Sequence, residues 1–124
     1  MEADRPALAV DIGGTKLAVG LVGPGGRLLS WDQTPTRRDL DAEGLWRTVD
    51  ALITRVLDAA GLPASAGAGL GRRLAGLGCG CGGPMEWPAG LVSPINIPAW
   101  RDQVILKPGQ TYRHVMIHKF TAEP

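Results

Sequence analysis

Asp11-Ile12-Gly13-Gly14-Thr15-Lys16 lies between two apolar runs, Ala7-Leu8-Ala9-Val10 before it and Leu17-Ala18-Val19-Gly20-Leu21-Val22 after it. Short aliphatic runs separated by a glycine pair read as two strands joined by a tight turn. An acid at the end of the first strand, followed by Gly-Gly and Thr-Lys, suits a hairpin that holds phosphate. Glycines let the backbone turn and approach an anion closely, so main-chain N–H groups, the Thr15 hydroxyl and the Lys16 ammonium can meet phosphate oxygens. Asp11 then stands where it can hold the Mg²⁺ that accompanies a nucleotide, directly or through water. The plainer reading of the same residues is a β-hairpin whose glycines only reverse the chain.

Downstream, Gly23-Pro24-Gly25-Gly26 predicts a turn, and residues 27 to 34 a third strand stopped by Pro35. The period then changes: Leu45, Val49, Leu52, Ile53, Val56, Leu57 and Ala60 recur at helical spacing. Asp41 is placed as N-cap, Gly61 as the glycine after the helix, and Pro63 as a stop. Residues 64 to 71 read as a surface loop, and residues 74 to 79 as a short buried strand. That strand can lie parallel to the first because a helix intervenes as the crossover. The order strand, strand, strand, helix, strand, with an acid at the first turn, is the opening of a ribonuclease-H-like α/β lobe. From Gly82 to Asp102 four prolines and several glycines exclude a long helix and predict an ordered loop. Such loops are favoured places for ligand contacts.

Composition narrows the function classes. The chain has 124 residues, 44% hydrophobic and 20% charged, which suits one globular domain. Thirteen basic against twelve acidic residues leave no basic stripe for a nucleic acid or an anionic membrane surface. Its first residues lack the basic start and apolar centre of a secretory signal, and Asp11 and Lys16 interrupt the best apolar run. The expectation is a cytoplasmic protein with neither nucleic-acid nor membrane partner. Cys79 and Cys81, two apart, are too close for an unstrained disulfide in a strand and read as small buried thiols. Gly78, Gly80 and Gly83 match G-x-G-x-x-G, but Pro84 and Pro88 prevent the helix that a dinucleotide fingerprint requires. The four tryptophans read as packing residues, with Trp100 the one placed near a sugar.

Three pieces in order resemble the ROK group of sugar kinases and related repressors: residues 8 to 16, residues 76 to 85 and Ser93-Pro94-Ile95-Asn96-Ile97-Pro98-Ala99-Trp100-Arg101-Asp102. The resemblance covers about residues 6 to 102. It implies part of an actin-like, two-lobed hexose kinase, glucokinase-like, that moves the γ-phosphoryl group of ATP onto a sugar hydroxyl with Mg²⁺. It assigns Asp11, Gly13, Gly14, Thr15 and Lys16 to the nucleotide phosphates and Mg²⁺, and Gly83, Pro84 and Asn96 to the sugar. An Asn amide can donate to one sugar oxygen and accept from another. Its alternative role is to stabilise its own loop.

The resemblance stops near Asp102. The Asn-Asp pair that supplies the catalytic base in such kinases is absent from this sequence, as are the adenine-side glycine motif and the Cys-rich zinc motif. No catalytic residue is therefore assigned. Residues 103 to 124 instead resemble the closing strands of aldose 1-epimerases (galactose mutarotases), through Leu106-Lys107-Pro108-Gly109-Gln110-Thr111-Tyr112-Arg113 and Phe120. The expected organisation is a truncated kinase lobe over 1 to 102 and an extended β tail over 103 to 124. An incomplete lobe leaves part of one apolar sheet face and one sheet edge open, with self-association as the consequence.

Overall fold

Alternation along the first two strands decides how the sheet packs. The computed structural model describes residues 4–62, 70–82, 85–86, 91–94, 97–101 and 103–104. In it, β1 (Ala7–Ile12) and β2 (Lys16–Val22) pair antiparallel, and β2 pairs antiparallel with β3 (Leu28–Pro35). Every second side chain is large and aliphatic: Leu8, Val10 and Ile12 on β1, and Leu17, Val19 and Leu21 on β2, all buried. A strand points alternate residues to opposite faces, so these six side chains make one apolar face.

Helix α1 (Ala42–Ala59) covers that face with Leu45, Val49, Leu52, Val56 and Leu57. The Asp41 carboxylate accepts from the Gly44 N–H at 2.7 Å, which satisfies one orphan donor of the first turn. At the other end Gly61 has φ +74°, and the N–H groups of Gly61 and Leu62 donate back to the carbonyls of Asp58 and Leu57. That is a Schellman ending, and only glycine adopts its backbone without strain. Both ends fall where the sequence places them.

After α1 comes a single helical turn, α2 (Leu70–Arg73), where the sequence reading extends a loop to residue 71. Four residues carry no period to read, and the turn is helped by Arg5, which donates to the Arg72 carbonyl at 2.8 Å. Strand β4 (Gly76–Cys81) then pairs parallel to β1, from Ala7↔Gly76 to Ile12↔Cys81. It starts two residues later than the sequence predicts. The pairing with β1 sets its bounds, overriding the poor strand propensity of three glycines. The sheet order is β3-β2-β1-β4, the expected meander, crossover helix and parallel fourth strand.

The proline-punctuated stretch differs from the expected loop. Two-residue strands β5 (Met85–Glu86), β6 (Leu91–Val92) and β7 (Gln103–Val104) form a small antiparallel sheet in the order β5-β6-β7. Strands this short show no alternation in sequence. Between β6 and β7, Ile97 and Trp100 are buried in the main core, and Trp100 stacks on Trp46 of α1 with ring centroids 4.4 Å apart. Its indole N–H donates to the Ala42 carbonyl at 3.3 Å. The Arg101 guanidinium braces the same turn by donating to the carbonyls of Pro94, Ile97 and Trp100.

Two tryptophan readings are thereby corrected. Trp100 is fully buried, so it packs the core and has no face for a sugar. Trp31, read as a packing residue, is 59% exposed on β3. No helix among the described residues is long and apolar enough to cross a membrane.

Candidate phosphate-binding site

The turn between β1 and β2 consists of Gly13, Gly14 and Thr15. It is closed by the Gly13 N–H, which donates to the Lys16 carbonyl at 3.0 Å. A Cβ on Gly13 would stand 2.9 Å from that carbonyl oxygen, so close approach of two backbone segments, rather than an unusual φ, is what demands glycine there. A second tie comes from the chain just past β3. The Thr36 N–H donates to the Thr15 carbonyl at 2.8 Å, and the Thr36 hydroxyl donates to the Gly13 carbonyl at 2.6 Å. Thr36 was not singled out in the sequence. The signal lay in the β2–β3 register, because Lys16↔Pro35 puts Thr36 beside the turn.

With the Gly13 and Thr15 carbonyls engaged in this way, the turn leaves donors over. The N–H groups of Gly14 and Thr15, the Thr15 hydroxyl and the Lys16 ammonium have no acceptor among the described residues. Thr15 and Lys16 are exposed, and a hollow of about 290 Å³ lined by Thr15, Lys16, Gln33, Thr34 and Pro35 adjoins them. A concave run of free backbone donors beside a cation is what an anion requires.

Asp11 is exposed, and among the described residues it takes part in no ion pair. Its register partner Ala18 shares a face with Lys16, so Asp11 and Lys16 lie on the sheet face opposite α1. Beside Asp11 the parallel strand presents Gly80, where a Cβ would sit 3.6 Å from the carboxylate. Asp11 thus stands at one end of a groove of about 500 Å³, floored by Ala9, Ala18, Gly20 and Gly78 and walled by Leu28 and Trp31.

On the opposite face of β4, Cys79 and Cys81 are free and half-buried against the core. Burial, with lesser contributions from Cys81 and Asp11, pushes the Cys79 thiol up to about 11, and burial also raises Cys81. Both are protonated near neutral pH, in keeping with the reading of them as small packing thiols. Among the described residues no group of three or more metal-ligating side chains occurs.

The structure therefore brings Asp11, Gly13, Gly14, Thr15 and Lys16 together at one end of the sheet. Gly83, Pro84 and Asn96, the sugar-side residues of the sequence reading, lie outside the described residues.

The lobe superposes on a ROK family glucokinase from Streptomyces griseus, solved in complex with glucose and AMPPNP. The identity is 28% and the TM-score 0.59, with 79% of this chain and 27% of that chain covered. It also superposes on the ROK hexokinase from Thermus thermophilus, at 28% identity and TM-score 0.61, covering 79% of this chain and 28% of that one. This is a ROK-like lobe. Its mixed α/β fold is that of a partial actin-like sugar-kinase lobe, and the chain spans somewhat over a quarter of the length of the kinases it resembles. No family model and no curated protein matches the sequence.

Proposed function

We propose that this chain is the phosphate-holding lobe of a ROK-type, ATP-dependent hexose kinase and is catalytically incomplete by itself. The observation that carries the reading is the turn over Gly13, Gly14 and Thr15, where the Gly13 and Thr15 carbonyls are engaged while the Gly14 and Thr15 N–H groups have no acceptor among the described residues beside Lys16. The glucokinase it resembles was solved with glucose and a nucleotide analogue, which favours a nucleotide as the anion. In this reading the Gly14 and Thr15 N–H groups and the Thr15 hydroxyl donate to phosphate oxygens, and Lys16 offsets their charge. Gly13 and Thr36 hold the turn in shape.

Asp11 fits Mg²⁺, since it offers an exposed carboxylate that takes part in no ion pair among the described residues, and Mg²⁺ needs only one or two carboxylates besides phosphate and water. Asp11 would hold the ion, and the chemistry that the ion would supply there is compensation of the phosphates' negative charge. Gly83, Pro84 and Asn96 line the sugar side. Residues 103 to 124 are a mutarotase-like tail joined to the lobe near Asp102, and the protein works in the cytoplasm on small molecules.

Incompleteness follows from what transfer requires. The acceptor hydroxyl must lie in line with the γ-phosphate, and a carboxylate must take its proton. The family's Asn-Asp pair has no counterpart in this sequence, and Asp102 follows Trp-Arg rather than Asn. Absence of a general base alone lowers a rate about 10²- to 10⁴-fold. A coupled assay with ATP, Mg²⁺ and a panel of hexoses is expected to show no turnover above background. Turnover that disappears in Asp11→Asn would contradict the proposed incompleteness.

A further inference from the structure

Asp11 is the first member of a row that crosses three strands. It pairs with Ala18, and Ala18 pairs with Gln33, so the three side chains stand abreast on the sheet face opposite α1. Asp11 and Gln33 are two strand spacings apart, about 10 Å, with the Ala18 methyl as the floor between them. Lys16 is the next residue of β2 on that face, toward the turn that bears the Gly14 and Thr15 N–H groups. Gln33 also lines the hollow of about 290 Å³ beside Thr15 and Lys16. Register and hollow thus independently set this residue at the phosphate end of the sheet.

The backbone of Gln33 is held while its side chain is not. Its main-chain N–H donates to the Asp32 carboxylate at 2.8 Å, and the other oxygen of that carboxylate accepts from Arg55 of α1 at 2.8 Å. The Gln33 amide itself has no hydrogen-bond partner among the described residues. We propose that Gln33 is a third-strand ligand of the phosphates, its amide donating to a phosphate oxygen across the row from Asp11. This rests on the reading of the turn as phosphate-holding and adds a residue that the turn does not contain. An amide suits the place, since it offers two N–H donors and no charge. A carboxylate there would add a second negative charge to a site that already has Asp11. Of the other β3 residues on this face, Pro35 has no donor, and Trp31 stands over Gly20, farther from the turn.

The test follows the Gln33 side-chain amide and the Gly14 and Thr15 backbone amides by chemical shift in the full chain, while Mg-ATP or, separately, inorganic triphosphate with Mg²⁺ is added. All three are expected to move along one binding curve with either probe. Gln33→Ala should weaken both probes about three- to tenfold, the worth of one hydrogen bond. Gln33→Glu should weaken them further, because it sets a like charge against the phosphates. Gln33 is exposed, and unmoved Gly14 and Thr15 signals before addition check that the turn is intact in each variant. Should a variant lose that pattern, the wild-type side-chain signal carries the test. A Gln33 amide that stays still while Gly14 and Thr15 respond overturns the inference and leaves the phosphate reading standing, as does an intact Gln33→Ala that binds inorganic triphosphate like wild type. Silence at Gly14 and Thr15 overturns both.

Discussion

The two faces of the four-stranded sheet are made by the same strands and differ in everything else. Toward α1 the strands send Leu8, Val10, Ile12, Leu17, Val19 and Leu21, which interlock with five buried helix side chains. Away from it they send Ala9, Asp11, Ala18, Gly20, Gly78 and Gly80, over which Leu28 and Trp31 stand largely in solvent. One face holds the fold together. The other is thin, and its polar end is where Asp11 and Lys16 gather. The contrast teaches that stability and the candidate chemistry are separated across a single layer of backbone, so substitutions should act on one without the other.

The sharpest way to break this contrast is to make one substitution on each side. Trp100→Ala removes a fully buried indole, its stack on Trp46 and its bond to Ala42, and is expected to cost about 3–5 kcal/mol in urea unfolding. Trp31→Ala, on the open face, is expected to cost under about 1 kcal/mol. Equal losses would mean that the open face is as packed as the other. A smaller effect comes from the cap that delivers the chain from α1 toward β4. Gly61→Ala forces a Cβ into a backbone with φ +74° and should cost about 1 kcal/mol, read from the same unfolding curves.

No loss is expected from pH until the solution is alkaline. The Cys79 thiol titrates at about 11 in the folded chain against an ordinary 9.0, because burial disfavours its thiolate. A raised folded pKa means that the contribution is fully present below the unfolded value and is lost as pH climbs through the folded one. Stability should therefore decline between about pH 9 and pH 11, and Cys79→Ser should flatten that part of the profile. An unchanged slope in the variant would place the thiol in water.

Much of this contrast was legible in the chain. Alternation in residues 7 to 22 and the helical period from Leu45 to Ala60 are strong because one face of each element is buried throughout. Asp41 and Gly61 bounded the helix because capping chemistry is local. What escaped was non-local. Trp31 and Trp100 depart from their readings because burial depends on what packs against them: Trp100 meets Trp46, 54 positions earlier, whereas Trp31 stands over Gly20 on a face with no helix. Thr36 escaped because its importance exists only once β3 is in register. The two-residue strands of the small sheet are too short to carry a period. At the candidate site the sequence brings out Asp11 to Lys16 as one constellation, while the reason for Gly13, close approach to the Lys16 carbonyl, exists only in the folded turn.

The central claim is that the turn over residues 13 to 16 holds nucleotide phosphates. Amide chemical shifts followed while Mg-ATP is added test it most directly. The account predicts that Gly14, Thr15 and Lys16 shift first and furthest, with Asp11 close behind. The curve should correspond to a millimolar or weaker Kd, about −4 kcal/mol. Shifts that begin at Trp31 and Leu28 in the groove, or no saturable shift at residues 11 to 16, would contradict it.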